Sequence, residues 1–245
     1  MSKQSALVRN TLLTLSYRHR SVELDQDFPN ILVLLSYSAI GMEEGFRCLE
    51  ILSREKMRVR LWVDTLVCQR YSISEVVRRT GVDEICHLEP ANLDHYSHFF
   101  LPVLSYSLVS RTIQFDDRDP FSRVIMEALL QGKKVGGVSL GADPYQSKWN
   151  EVGFGGAAPL LKHDMKSRLL QLRGYGMELL EADQVTSWIS RNKRSFMTEE
   201  KYLLSQDDIL AAHSNQQYSI YLRPNTIVTP LARDLAQQYG IELRQ

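Results

Sequence analysis

Two apolar runs in this chain end in small hydroxyl residues, and a helical pattern follows each of them. The run Ile31–Leu35 leads into Ser36-Tyr37-Ser38, and the run His98–Leu101 leads into Pro102 and then Ser105-Tyr106-Ser107. A proline fixes the backbone where a strand ends, while serines and the first N–H groups of a helix can hydrogen-bond an anion. Two such loops at the carboxyl ends of parallel strands predict a site for a nucleotide or a flavin.

Strands and helices alternate around these loops. Further buried strands are predicted at residues 59–63 and 135–140, with a short one at 84–88. Helices are predicted from Glu43 to Lys56 and from Asp119 to Leu130. Four long strands alternating with helices are typical of a doubly wound, Rossmann-like parallel sheet with helices on both faces, so the sequence predicts the α/β class.

The sequence predicts three parts. They are an N-terminal amphipathic segment (residues 1–22), a large α/β domain (23–198) and a small C-terminal α/β module (199–245). The apolar residues of the first part follow an uneven helical period and precede Arg18-His19-Arg20. That pattern fits two alternatives, a helix docked on its own domain or a short tag that binds a partner protein. In the third part, Ser205 is expected to begin a capped helix, and a last helix is expected from Leu231 to Tyr239.

The composition excludes several classes of protein. The 245 residues carry 29 basic and 29 acidic side chains, so the zero net charge gives no footprint for nucleic acid. Cys48, Cys68 and Cys86 lack the spacing of a metal site or a disulfide framework, which favours a reducing cytoplasm. No apolar run approaches the roughly 20 residues of a membrane span, and the N-terminus lacks the apolar core of a signal peptide. We expect a soluble cytoplasmic protein without a metal, a nucleic-acid partner or a membrane contact.

Three short motifs of the chain occur in an order and spacing known from one family. They are Ser36-Tyr37-Ser38-Ala39-Ile40, Thr65 after the second strand, and Pro102 through Ser107. In these motifs residues 30–140 resemble the flavoprotein family of homo-oligomeric, FMN-containing cysteine decarboxylases. That family includes phosphopantothenoylcysteine decarboxylase, prenyl-FMN synthase and the second subunit of dipicolinate synthase. The resemblance implies a flavodoxin-like fold, FMN as the cofactor, and a homo-oligomer, a trimer or higher, with the flavin between subunits.

The resemblance and the chemistry of the residues point to one candidate cofactor-binding set: Ser36, Ser38, Thr65, Pro102, Ser105, Tyr106 and Ser107. Hydroxyls near helix starts suit the phosphate and the ribityl chain of FMN, and Tyr37 or Tyr106 would pack against the flavin ring. Ordinary helix capping and turn formation is the alternative for the serines. The glycine-rich stretch 153–158 lacks a preceding strand and is predicted to be a flexible loop.

The chain departs from the family's decarboxylases at the positions that carry their chemistry. Tyr106 stands where they have an asparagine, and Pro144–Trp149 lacks the methionine and asparagine of their substrate clamp. The position that corresponds to their catalytic histidine is Leu88, and His87 is the residue before it. His95 and His98 flank the start of a predicted strand. Cysteine decarboxylation is therefore not expected, and no catalytic residue is assigned.

A second resemblance lies in Leu222–Ala236, which is similar to a tail shared by enzymes of bacterial microcompartment operons for ethanolamine or propanediol use. It implies association with a microcompartment, in which residues 1–22 would contact shell or enzyme partners. We therefore expect an FMN-binding flavoprotein with an electron-transfer or flavin-dependent reductase role. Two alternatives stay open: a non-catalytic scaffold or assembly protein that has lost the flavin, and an enzyme acting on a small acid that binds a nucleotide in the crevice.

Overall fold

The computed structural model describes residues 11–12, 15–16, 28–90, 93–197, 203–215, 217–222 and 226–244. The chain forms two compact units, residues 1–193 and 194–245, and each is treated by itself. The predicted N-terminal segment 1–22 lies outside the described residues, apart from short helical pieces at 11–12 and 15–16. None of the helices in the described residues is long and apolar enough to span a membrane.

The first unit is built on a six-stranded parallel sheet. Its strands are β1 (Asn30–Leu35), β2 (Arg58–Val63), β3 (Ile85–Cys86), β4 (His98–Leu101), β5 (Lys134–Val138) and β6 (Glu178–Leu180). The strand order is β3-β2-β1-β4-β5-β6, so the winding direction reverses between β1 and β4. This arrangement confirms the predicted doubly wound, flavodoxin-like α/β class. β6, which pairs with β5 in the structure, is not among the strands predicted from the sequence.

Helices connect these strands. They are α1 (Met42–Ser53), α2 (Thr65–Arg70), α3 (Ile73–Thr80), α4 (Tyr106–Ile113), α5 (Pro120–Leu130), α6 (Ser147–Glu151), α7 (Pro159–Gly174) and α8 (Val185–Met197). The start of α5 is confirmed: Pro120 takes the first helical position, and Asp119 accepts a hydrogen bond from the Ser122 N–H at 2.9 Å. The first predicted helix ends at Ser53, three residues before the predicted Lys56.

The side chains of β1 alternate between two hydrophobic cores, one on each face of the sheet. Ile31, Val33 and Leu35 pack with apolar residues of α1, α3 and α8. Leu32 and Leu34 pack with apolar residues of α4, α5 and α7. A strand covered on both faces needs an unbroken apolar sequence, which is what β1 has. The predicted placement of helices on both faces is therefore confirmed.

In its described residues, the second unit contains two pairs of parallel strands and two helices. These are β7 (Leu203–Leu204), α9 (Gln206–Ser214), β8 (Ser219–Tyr221), β9 (Ile227–Val228), α10 (Pro230–Gln238) and β10 (Glu242–Arg244). β7 pairs with β9, and β8 pairs with β10. Ser205 caps α9 as predicted, together with Asp208 in a capping box. A small core that includes Ile209 and Ala232 lies between these elements.

Strand β4 begins with a buried histidine. His98 is 3% exposed, its Nδ1 lies 3.0 Å from Ser97 Oγ, and its ring packs edge-on against Trp188. Burial, helped by the positive charge of Lys134 on the neighbouring strand, lowers the pKa of His98 to about 4. His98 lies at the opposite end of β4 from Pro102, so it is a structural residue of the sheet.

We predict that His98 makes the protein less stable in acid. The unfolded chain takes up a proton near pH 6.5, whereas the folded chain does so only near pH 4, so the free energy of unfolding falls between these values. The loss reaches about 3 kcal/mol at the acid end. The His98→Gln variant lacks this titration. Urea denaturation should therefore show the difference between wild type and variant shrinking as the pH is lowered; a constant difference would contradict the assignment.

Candidate functional site

The reversal of winding between β1 and β4 places two loops side by side at the carboxyl edge of the sheet. Residues 36–41 follow β1, and residues 102–105 follow β4. A third loop, which begins with the 3₁₀ turn Ser139–Gly141, follows β5. In open α/β sheets, ligands bind outside the carboxyl ends of the strands at such a reversal.

These three loops are tied together by serine hydroxyls. Ser36 Oγ donates a hydrogen bond to the Val103 carbonyl at 2.9 Å, and Ser38 Oγ donates to the Gly141 carbonyl at 3.4 Å. Ser38 Oγ also accepts from the Ile40 N–H at 3.3 Å. Both serines are buried, at 4% and 6% exposure. Their hydroxyl protons are therefore directed at backbone carbonyls of the neighbouring loops.

Glycines allow the loops to approach one another this closely. A Cβ atom on Gly141 would lie 2.5 Å from the Leu104 carbonyl oxygen and 2.9 Å from the Ile40 carbonyl oxygen. A Cβ atom on Gly45 of α1 would lie 2.4 Å from a methyl group of Val103. The crevice between the loops is thus filled by backbone, and the open space lies to one side of it.

The proline element presents its residues in two different ways. Pro102 and Ser105 are buried, and Ser105 Oγ caps α4 by accepting the Leu108 N–H at 3.2 Å. Tyr106 and Ser107 form the exposed start of α4, and Ser107 Oγ lies 3.3 Å from Ser105 Oγ. The first N–H groups of a helix have no partner inside it, and Ser105 Oγ already accepts the Leu108 N–H, so the N–H groups of Tyr106 and Ser107 are the donors that the start of α4 offers to an anion.

The start of α4 suits an anion better than the start of α1. The first turn of α4 contains no acidic residue. The first turn of α1 carries Glu43 and Glu44, which pair with Arg79 and Lys148. Carboxylates at a helix start already balance its partial positive charge and repel a second anion.

Thr65 and Tyr37 lie farther along the same edge. Thr65 is the exposed first residue of α2, directly after β2 and Asp64. The guanidinium of Arg70 covers the ring of Tyr37, with Cζ 4.2 Å from the ring centroid. Tyr106 is 59% exposed. One face of the Tyr37 ring is therefore already covered, whereas the Tyr106 ring is open to solvent.

A groove of about 640 Å³ opens beside the start of α4. It runs between α4 and α7, and the segment 142–157 forms its third side. Its aromatic lining consists of Tyr106, Trp149 and Phe154, and the last two rings lie 5.9 Å apart. The volume falls within the range of about 300–1,000 Å³ common for small-molecule sites. Of the seven predicted site residues, Tyr106 lines this groove and the other six do not.

Most of the groove comes from parts of the chain that the sequence reasoning leaves unassigned. Residues 153–158, predicted as a flexible loop, form one wall, and α7 forms another. Two sequence signals mark the ends of α7: Pro159 at the first helical position, and Gly176, which follows the capping residue Tyr175 with a φ of 107°. Pro144 and Trp149, the ends of the stretch compared with the substrate clamp, both line the groove.

The candidate histidines lie away from the groove. His87 follows β3, its Nδ1 lies 3.3 Å from Cys68 Sγ, and its carbonyl accepts the Trp62 indole N–H at 3.4 Å. Burial, with the nearby charge of Asp64, raises the pKa of the Cys68 thiol, so the thiol stays protonated at neutral pH. His95 is exposed in the loop before β4. Within the described residues, no group of three or more His, Cys, Asp and Glu side chains is arranged to hold a metal.

Comparisons with known proteins give matches to solved structures alone. No family model and no curated protein matches the chain. A dodecameric FMN-dependent Ubix-like decarboxylase from Escherichia coli O157:H7 is 14% identical, with a TM-score of 0.44 over 69% of this chain and 96% of that chain. AnUbiX (PadA1), in complex with FMN and dimethylallyl pyrophosphate, is 12% identical, with a TM-score of 0.47 over 70% of this chain and 94% of that chain.

A third solved structure, UDP-GlcNAc 2-epimerase from Neisseria meningitidis bound to UDP-GlcNAc, is 11% identical. Its TM-score is 0.27 over 88% of this chain and 72% of that chain. At these identities and TM-scores, none of the three likenesses carries a conclusion about what this chain binds or does.

We predict that the contact between the loops is intolerant of one added methyl group. Gly141→Ala pushes a Cβ atom into two carbonyl oxygens and should lower the free energy of unfolding by about 1–3 kcal/mol. Gly174→Ala is the matched control, because a Cβ atom on Gly174 of α7 meets nothing within 4 Å. The control should be neutral or more stable by up to about 1 kcal/mol. Equal stabilities of the two variants in urea denaturation would contradict the packing described for the loops.

Proposed function

We propose that this protein is an FMN-binding flavoprotein. The observation that carries the proposal is the aromatic-lined groove that adjoins the start of α4 at the carboxyl edge of the sheet. FMN combines an apolar ring system with a phosphate dianion. The groove suits the ring system, and the start of α4 suits the phosphate. Tyr106 and the apolar groove would hold the ring, and the first N–H groups of α4 with Ser107 would hold the phosphate. The motif resemblance supports FMN over other anionic ring compounds.

The remaining predicted residues do not line the groove, and we propose a supporting role for them. Ser36 and Ser38 hold the loops after β1, β4 and β5 in contact, and Ser105 fixes the first turn of α4. Pro102 is buried where β4 ends, and Thr65 lies two strands away. We propose that Ser36, Ser38, Pro102 and Ser105 act by positioning the start of α4, and that Thr65 contributes a hydroxyl at the rim.

The chemistry that we propose is electron transfer or flavin-dependent reduction. Bound FMN would supply one- and two-electron redox chemistry, and the protein would bind and orient it. Cysteine decarboxylation is not proposed, because none of the described histidines lines the groove and Pro144–Trp149 lacks the clamp residues. Asp164 is the one carboxylate among the described residues that line the groove.

We further propose that the protein works as a homo-oligomer associated with a bacterial microcompartment. Large apolar side chains on and beside the groove are exposed, among them Tyr145, Phe154 and Leu160, and a second subunit would cover them. The association with a microcompartment rests on the resemblance of Leu222–Ala236. A role of residues 1–22 in contacting shell or enzyme partners is proposed on the amphipathic sequence alone.

A scaffold protein that has lost its flavin is the second candidate. It is favoured by one observation: the hydroxyls of Ser36, Ser38 and Ser105 all have partners within the protein. Those three side chains have a structural use without any cofactor. The two candidates differ in whether added FMN is retained.

We predict that the protein retains FMN after incubation and desalting, seen as the visible absorbance bands of oxidised flavin. Ser107→Glu places a carboxylate where the phosphate is proposed to bind and should weaken FMN binding by roughly tenfold or more. The helix itself should tolerate the change, because an acidic residue stabilises a helix start.

Ser74→Glu is the matched control for this variant. Ser74 is the second residue of α3, and its Oγ lies 3.0 Å from the capping residue Ser72, as Ser107 lies beside the capping residue Ser105. FMN binding should be unchanged in Ser74→Glu. A wild-type protein that retains no FMN would favour the scaffold, and retention unaffected by Ser107→Glu would place the phosphate elsewhere.

A further inference from the structure

The groove contains an arginine whose charge has no partner among the described residues. Arg168 of α7 lines the groove and is half-buried, and no described carboxylate lies within ion-pair distance of it. Asp164, one helical turn earlier, also lines the groove but does not pair with Arg168. A partly buried cation surrounded by apolar groups gains more from an anionic ligand than a fully hydrated cation does.

The two lysines nearest to Arg168 on the same helix are already engaged. Lys162 Nζ donates a hydrogen bond to the Gly155 carbonyl at 2.7 Å. Lys166 Nζ pairs with the buried carboxylate of Asp143 at 2.5 Å, and Asp143 also accepts the Tyr145 N–H at 3.2 Å. These contacts fasten the segment 142–157 to α7, so the groove is held in shape. Neither lysine lines the groove, and Arg168 is the one cation among the described residues that does.

We propose that the α7 side of this groove binds the second reactant of the flavin, a small molecule with a planar apolar body and a single carboxylate. The planar body would lie on the apolar lining that includes Leu161 and Met165, and the carboxylate would pair with Arg168. This inference rests on the proposed function, since it assigns a substrate class to the same groove.

Asp164 selects among anions. A carboxylate one turn from Arg168 repels a second negative charge on a ligand, so a monoanion binds better than a phosphate dianion. The groove volume of about 640 Å³ limits the occupant to a small molecule.

The test uses 2-naphthoate and its neutral isostere 2-naphthamide, with isothermal titration calorimetry as the measurement of binding. Wild-type protein should bind 2-naphthoate more tightly than 2-naphthamide. Arg168→Gln should weaken 2-naphthoate binding by roughly tenfold or more and leave 2-naphthamide unchanged.

Arg173→Gln is the matched control, because Arg173 lies on the same helix, is exposed and does not line the groove. It should bind both probes as wild type does. Arg168→Lys keeps the charge but not the paired donors and should fall between wild type and Arg168→Gln. Asp164→Asn should improve the binding of 2-naphthyl phosphate.

Two outcomes would overturn the inference: equal affinities of wild type for the two probes, or 2-naphthoate binding that is the same in Arg168→Gln and Arg173→Gln. The titrations are made on flavin-free protein and repeated after adding FMN. If the wild-type protein retains no FMN but binds 2-naphthoate in an Arg168-dependent way, the proposed function alone is defeated. If it retains FMN but Arg168→Gln does not weaken 2-naphthoate binding, this inference alone is defeated.

Discussion

The close contact of three loops at Gly141 is the constraint on which the candidate site depends. The loops after β1, β4 and β5 meet with no room for a Cβ atom, and two serine hydroxyls bond the carbonyls that face them. Each hydroxyl satisfies a carbonyl that would otherwise be buried without a donor, which makes the contact costly to disturb. The start of α4 is therefore held at a fixed place above the sheet.

Because backbone fills the crevice above the reversal of strand order, the space available to a ligand lies beside the crevice. Ligands of doubly wound sheets commonly lie directly over the reversal of strand order, but here the open volume lies between α4 and α7. The exposed start of α4 borders that volume, so the helix start that we propose as the phosphate site and the apolar groove share an edge through Tyr106. This proximity of helix N–H donors to an apolar groove is the basis for proposing FMN.

The sequence predicts the strands of the sheet better than it predicts the groove. β1, β4 and the start of α5 follow from local apolar runs and from a capping residue with a proline, which act over a few residues. The direction of the serine hydroxyls depends on partners 67 and 103 residues away, which no local pattern contains. Helix α7 buries Leu169 and Leu172 but exposes Leu160 and Leu170, so its hydrophobic period is weak and its capping signals are the usable ones.

The most direct test of this account compares the affinities of wild-type protein for FMN and for riboflavin, measured by the quenching of flavin fluorescence. The two ligands share the ring and the ribityl chain, and riboflavin lacks the phosphate. If the groove holds the ring and the start of α4 holds the phosphate, FMN should bind at least about tenfold more tightly. Equal affinities would contradict the role of α4, and no binding of either ligand would contradict the flavin site as a whole.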